Sequence, residues 1–176
     1  MITLTAADPA ALEAIGQRLA RAAGGRCIIY LHGELGAGKT TLARGFLKGL
    51  GHRGAVKSPT YTLLEPYRVA GRDVYHFDLY RLSDPEELEY LGLRDLLQGE
   101  SVLLFEWPSR GQGGLPAPDL ELFIEIPKQG RRLRLEAGSG RGREVLRRLA
   151  APPAPAVSGG GGEPSPGRSA GDRDGS

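Results

Sequence analysis

The sequence predicts an α/β fold: a mixed, mostly parallel sheet that carries an antiparallel hairpin and is flanked by helices. Three observations point there. Two short apolar runs, 27–31 and 101–105, read as fully buried strands. The first runs into a glycine-rich loop that opens a helix, the strand–loop–helix order of a parallel unit. Two pairs of β-leaning runs, each joined by a glycine-containing turn, supply antiparallel additions.

Taken in order, the first predicted element is a helix. Asp8 is a good N-cap, Pro9 suits the first helical position, Leu12, Ile15 and Leu19 recur at helical spacing, and Gly24-Gly25 end it. A strand follows at Cys27–Leu31, then the loop from Gly33 to Thr40, then a helix from Thr41 to Leu50 closed by Gly51. The runs 61–67 and 74–79 flank Ala70-Gly71-Arg72 and predict a hairpin. Ser83-Asp84-Pro85-Glu86 has the form of a capping box, Ser83 to Glu86, opening a helix whose Leu88 and Leu91 face the core. After the strand at 101–105 come a strand pair, 120–126 and 133–136, around Lys128-Gln129-Gly130, and a basic closing helix at 143–149.

The chain has 176 residues with a net charge of +2, which suits one domain at 1–150. From 151 to 176 the composition turns to Gly and Pro with a single large aliphatic residue, Val157, so this stretch reads as a disordered tail that cannot offset its ordering entropy. The charge is too weak to imply nucleic-acid binding. A lone cysteine, Cys27, excludes an intramolecular disulfide or a cysteine-based zinc site. No apolar stretch is long enough to span a membrane, and the N-terminus lacks signal-peptide character, so the chain reads as cytoplasmic.

Gly33-x-x-x-x-Gly38-Lys39-Thr40 matches the phosphate-loop pattern in full and sits between a strand and a helix, as such a loop requires. Its glycines let backbone N–H groups converge on phosphate oxygens, and the helix that follows adds the positive end of its dipole. Lys39 would reach the outer phosphates and the Thr40 hydroxyl would ligate Mg²⁺. The expected fold is therefore of the P-loop NTPase kind, with the phosphates of a nucleotide and magnesium as its expected ligands.

Val102-Leu103-Leu104-Phe105-Glu106 has the form of a Walker B strand, four apolar residues and an acid at the end that faces the ligand crevice. Glu106 can ligate the magnesium or hold its water. Asp78 ends another strand, where it either binds Mg²⁺ through water, orients the attacking water, or is simply a solvated strand-end acid. His76 reads as a structural histidine, and Trp107, the single tryptophan, as core or partner surface. Ser58-Pro59-Thr60 lies where many P-loop enzymes keep a loop that senses the γ-phosphate. Arg81 is the one arginine near these strands with any claim on the transferring phosphoryl group, and it reads equally well as a surface residue. The chain has no asparagine, so the Asn-Lys-x-Asp guanine reader of regulatory GTPases is absent. No arginine-rich lid follows the loop, which counts against a nucleotide kinase.

Together, Gly33 to Thr41, Ser58-Pro59-Thr60-Tyr61, His76-Phe77-Asp78-Leu79-Tyr80-Arg81, Asp84-Pro85-Glu86-Glu87-Leu88 and Glu106-Trp107-Pro108 closely resemble the bacterial TsaE (YjeE) family over residues 5–136. The resemblance implies a small P-loop ATPase of tRNA threonylcarbamoyladenosine biosynthesis. Its hydrolysis of ATP would support the TsaB–TsaD pair, which modifies adenosine 37 of tRNAs reading codons that begin with A. The tRNA is then acted on only through that complex. It further implies a catalytic set of Lys39, Asp78 and Glu106, and a metal set of Thr40 and Glu106. Nucleotide contacts would come from Gly33, Glu34, Gly36, Ala37, Gly38, Lys39, Thr40 and Thr41, with Asp8 and Arg131 approaching from the other edge of the sheet. Trp107 would belong to the same face. The alternatives on sequence grounds are a small-molecule kinase using the same loop and a nucleotide-dependent binding module.

Overall fold

A computed structural model describes residues 1–152; the predicted tail, beyond Pro152, lies outside the described residues. The elements run β1 (Ile2–Ala6), α1 (Pro9–Ala23), β2 (Cys27–His32), α2 (Lys39–Gly49), β3 (Leu64–Val69), β4 (Arg72–Asp78), α3 (Glu87–Tyr90), α4 (Leu93–Leu96), β5 (Val102–Glu106), a 3₁₀ turn at Pro108–Gly111, β6 (Leu120–Glu125), β7 (Arg131–Ala137) and α5 (Gly140–Ala150). The seven strands form one sheet in the order β1-β7-β6-β2-β5-β4-β3. β6, β2, β5 and β4 are parallel neighbours. β7 and β3 run against them, and β1 pairs antiparallel to β7, so it points with the central four. The predicted mixed, mostly parallel sheet is what forms.

Alternation along the strands sends apolar side chains to both faces. Ile29, Leu31, Leu104, Leu122 and Leu135 pack under α1, α2 and α5. Ile28, Phe77, Leu103 and Phe105 face the other way and are covered by Leu79, Leu82, Leu88 and Leu93 around α3 and α4. Phe77 and Phe105, opposite one another on β4 and β5, stack with centroids 4.6 Å apart. Cys27 is fully buried, and burial first of all pushes its thiol up to about 12, so it packs as an inert apolar side chain.

Three local expectations are corrected. The first element is a strand, not a helix. β1 alternates Ile2-Thr3-Leu4-Thr5 but is five residues long, and its partner β7 lies more than a hundred residues away, so nothing local marks it. Its neighbour α1 is as expected, with Asp8 Oδ1 accepting from the Ala11 amide at 2.8 Å. Secondly, the hairpin strand starts at Leu64 rather than Tyr61. Leu63 turns left-handed (φ 63°), its amide donates to the Pro59 carbonyl at 2.8 Å, and Tyr61 is 82% exposed. Finally, Ser83 makes no capping box. Asp84 Oδ1 accepts from the Glu86 amide instead, and Gly92, at φ 75°, divides the predicted helix into two four-residue pieces.

Candidate functional site

Sheet order decides what meets what. β2, β4 and β5 are parallel, so their C-terminal ends open on one edge, where a doubly wound sheet holds its ligand. β2 feeds the loop Gly33–Gly38, β4 ends at Asp78, β5 ends at Glu106, and the two acids are register partners. A cleft of about 280 Å³ at this edge is lined by Lys39, Thr40, Thr41, Thr60, Asp78, Glu106 and Trp107, together with Leu35, Gly36 and Gly38 of the loop.

The loop takes its shape from its glycines. Gly36 (φ 78°) and Gly38 (φ 110°) are left-handed, and a Cβ on Gly38 would stand 2.3 Å from Leu12 Cδ2. The Ala37 amide closes back onto the Glu34 carbonyl at 3.0 Å. Lys39, buried at the start of α2, donates from Nζ to the carbonyls of Gly33 (2.5 Å) and Glu34 (2.8 Å) and lies 4.5 Å from the centre of the Trp107 ring. Glu34 thus takes part through its main chain, while its side chain faces solvent. Desolvation lowers the Lys39 pKa from its ordinary value, partly offset by the charges of Glu106 and Asp78.

The two acids occupy opposite environments. Burial alone would raise Glu106, but it accepts from His76 Nε2 (3.3 Å) and the Thr40 hydroxyl (2.9 Å), and Lys39 lies close. These hold its pKa below the ordinary value, so it stays a carboxylate. Asp78 is shifted the other way, first by burial and then by the neighbouring Glu106 charge. Its hydrogen bonds from the Tyr80 amide (3.0 Å) and the Thr60 hydroxyl (3.2 Å) offset this only in part. Two adjacent carboxyl groups pushed apart in this way suit two different tasks.

His76 is the residue whose part the sequence under-read. It is fully buried and structural, yet it holds Glu106, and its Nδ1 is without a partner among the described residues. Thr60, bonded to both Ser58 Oγ (2.7 Å) and Asp78, ties the predicted sensing loop to the site. Trp107 covers Lys39 from a left-handed backbone (φ 55°) and packs against Tyr80, centroids 5.0 Å apart. Arg81 is drawn away, its guanidinium 4.4 Å from the Tyr61 ring centre. Asp8 and Arg131 do not line this cleft. They line an adjoining one of about 200 Å³ behind the loop, with Ala6, Ala7, Pro9, Gly36, Ala37 and Gly130 among its other walls.

Oxygen donors dominate the front cleft: the Thr40 hydroxyl and the carboxylates of Glu106 and Asp78. No group of three or more His, Cys, Asp or Glu able to cage a metal exists among the described residues. One hydroxyl and one or two carboxylates, leaving positions for phosphate oxygens and water, is a donor set that fits Mg²⁺.

Comparison with known proteins follows the same lines. The family model for the threonylcarbamoyl adenosine biosynthesis protein TsaE matches residues 6–134. The tRNA threonylcarbamoyladenosine biosynthesis protein TsaE of Haemophilus influenzae is 52% identical over 119 residues, 68% of this chain and 75% of its own. The protein of that name from Bacillus subtilis is 38% identical over 118 residues, covering 67% and 73%. The crystal structure of Bacillus subtilis YdiB superposes with a TM-score of 0.72 at 29% identity, covering 84% of this chain and 93% of the other.

Proposed function

The chain belongs to the TsaE family, and from that premise we propose that it binds and hydrolyses Mg²⁺-ATP in the front cleft, in support of a TsaB–TsaD pair that forms threonylcarbamoyladenosine at position 37 of tRNA. One observation carries this reading: the phosphate-loop residues Gly36, Gly38, Lys39 and Thr41, the Thr40–Glu106 pair and a second, differently tuned acid, Asp78, open on a single cleft. Relatives named for tRNA threonylcarbamoyladenosine biosynthesis weigh against the small-molecule kinase alternative. No helix among the described residues is long and apolar enough to cross a membrane, which accords with a cytoplasmic role.

The residues divide the work. Lys39 exchanges two neutral carbonyl acceptors for charged phosphate oxygens, a stronger class of hydrogen bond. Thr40 and Glu106 hold Mg²⁺, which would neutralise charge on the phosphates when bound. Glu106, kept anionic by His76 and Thr40, serves as the permanent carboxylate. Asp78, raised toward the pH at which it can exchange a proton, orients the attacking water. Thr60, on the loop in contact with Asp78, is placed to report the γ-phosphate.

Calorimetric titration with Mg²⁺-ATP tests the site. Lys39→Ala is expected to lower affinity roughly 10- to 150-fold, the equivalent of one charge-assisted hydrogen bond. Equal affinity in variant and parent would remove Lys39, and the cleft with it, from nucleotide binding.

A further inference from the structure

Arg131 stands at the start of β7, in register with Ala6 of β1, behind the phosphate loop. Its guanidinium donates to three backbone carbonyls: Nε to Ala37 (2.9 Å), Nη2 to Gly36 (3.1 Å) and Nη1 to Gly130 (2.7 Å). No carboxylate lies within ion-pair distance of it among the described residues. A flat fork with fixed N–H directions is thus spent on peptide oxygens, two of them in the loop that would cradle phosphate.

In a trans peptide the carbonyl of one residue and the N–H of the next point opposite ways. Fixing the Gly36 and Ala37 carbonyls toward Arg131 therefore turns the amides of Ala37 and Gly38 away from it. The far side of the loop is where Lys39, Asp78 and Glu106 lie, in a cleft whose lining does not include Arg131. The Gly36–Ala37 peptide has a second tie, the Ala37 amide on the Glu34 carbonyl at 3.0 Å, while the Ala37 carbonyl takes its bond from Arg131. A Cβ built on Gly36 meets nothing within 4 Å, so packing does not hold it, and as a glycine its backbone can leave the left-handed conformation without steric cost. Gly130, left-handed at φ 69°, lets the chain enter β7 so close to β1 that a Cβ there would stand 2.4 Å from the Ala6 carbonyl, and this brings Arg131 under the loop.

We infer that Arg131 is a positioning residue for the phosphate loop. It holds the Ala37 carbonyl so that the Gly38 amide faces polyphosphate, and braces the Gly36 carbonyl beside it; its charge and fork are not spent on the nucleotide. This rests on the reading of the front cleft as a nucleotide site.

The test titrates full-length parent, Arg131→Lys and Arg131→Gln with Mg²⁺-ATP and with Mg²⁺-tripolyphosphate, which has the phosphates but no nucleoside. Circular dichroism checks that each chain is folded at the titration temperature. Lysine keeps the charge and glutamine keeps a donor, but neither can hold Gly36 and Ala37 together. Both variants are expected to lose affinity roughly 5- to 100-fold, as for two lost hydrogen bonds, and by the same factor for both ligands. Loss for ATP with tripolyphosphate unchanged would place Arg131 on the nucleoside and overturn the inference. Parent-like binding by Arg131→Lys with loss in Arg131→Gln would make it a charge contact and overturn it too, as would parent-like binding by both. A parent chain that does not bind tripolyphosphate would overturn the phosphate-loop reading itself, and the role of Arg131 with it.

Discussion

Asp78 and Glu106 are neighbours on adjacent strands, yet folding treats their protons in opposite ways. Glu106 is held below its ordinary pKa, so it contributes stability above the unfolded value near 4.5 and loses that contribution as pH falls through its folded pKa. Asp78 is raised above 3.8, so what it contributes is present when it is protonated and is lost as pH rises through its folded pKa. Ionising the buried Asp78 therefore works against the fold, a cost characteristic of reactive sites. Asp78→Asn is expected to melt a few degrees above the parent at pH 7, with the gap closing as pH falls through the folded pKa of Asp78 and gone below about 3.8, and to lose ATP turnover. Thermal melts across that range check this, and a variant less stable than the parent at pH 7 would contradict it. Lys39, Thr40 and Glu106 were readable because each sits in a short local pattern of known chemistry. The His76–Glu106 and Thr60–Asp78 bonds were not, because they depend on how distant segments meet across the sheet.

At the scale of elements, the seating of α2 controls the loop, since Lys39 and Thr40 open that helix. α1 and α2 approach so closely that glycines are required between them. A Cβ on Gly45 would stand 2.1 Å from the Glu13 carbonyl oxygen, and one on Gly16 would stand 2.3 Å from the Leu42 carbonyl oxygen. Gly45→Ala improves helix propensity by about 1 kcal/mol, but the added carbon meets backbone that cannot step aside. A net loss of about 1–3 kcal/mol is expected, measured by urea unfolding, and a variant as stable as the parent would contradict the close approach. α1 and α5 are joined differently, by arginines on each other's last carbonyls: Arg18 on Leu149 (3.2 Å), Arg148 on Ala22 (3.4 Å) and Arg141 on Ala23 (3.4 Å). Helices α1 and α2 were legible from their spacing and their ends. β1 was not, because an edge strand of five residues has no signal apart from its partner, and the Ser83 capping box failed because Asp84 competes for the same amides.

Across the whole molecule, five strands pointing one way bring three C-terminal ends to one edge, and that parallel core was legible from its fully apolar runs. The strand order was not, since sequence spacing does not say that β6 and β7 insert between β1 and β2. The assembled cleft has one conspicuous gap. Among its described lining residues Lys39 is the single cation, and the nearby arginines 81 and 110 lie over the rings of Tyr61 and Tyr80. Charge developing on a transferring phosphoryl group is then under-compensated within this chain, and an arginine supplied in trans is worth ~10³–10⁵ in rate. On the proposed function, a TsaB–TsaD pair would provide that charge, or would order the loop around Thr60 against Asp78. The most direct measurement is steady-state phosphate release at saturating Mg²⁺-ATP, with and without purified TsaB–TsaD. Slow release by the chain alone that rises at least about tenfold with the pair, and is lost in Lys39→Ala, is the expected result; fast release that the pair leaves unchanged, or none in either case, would contradict it.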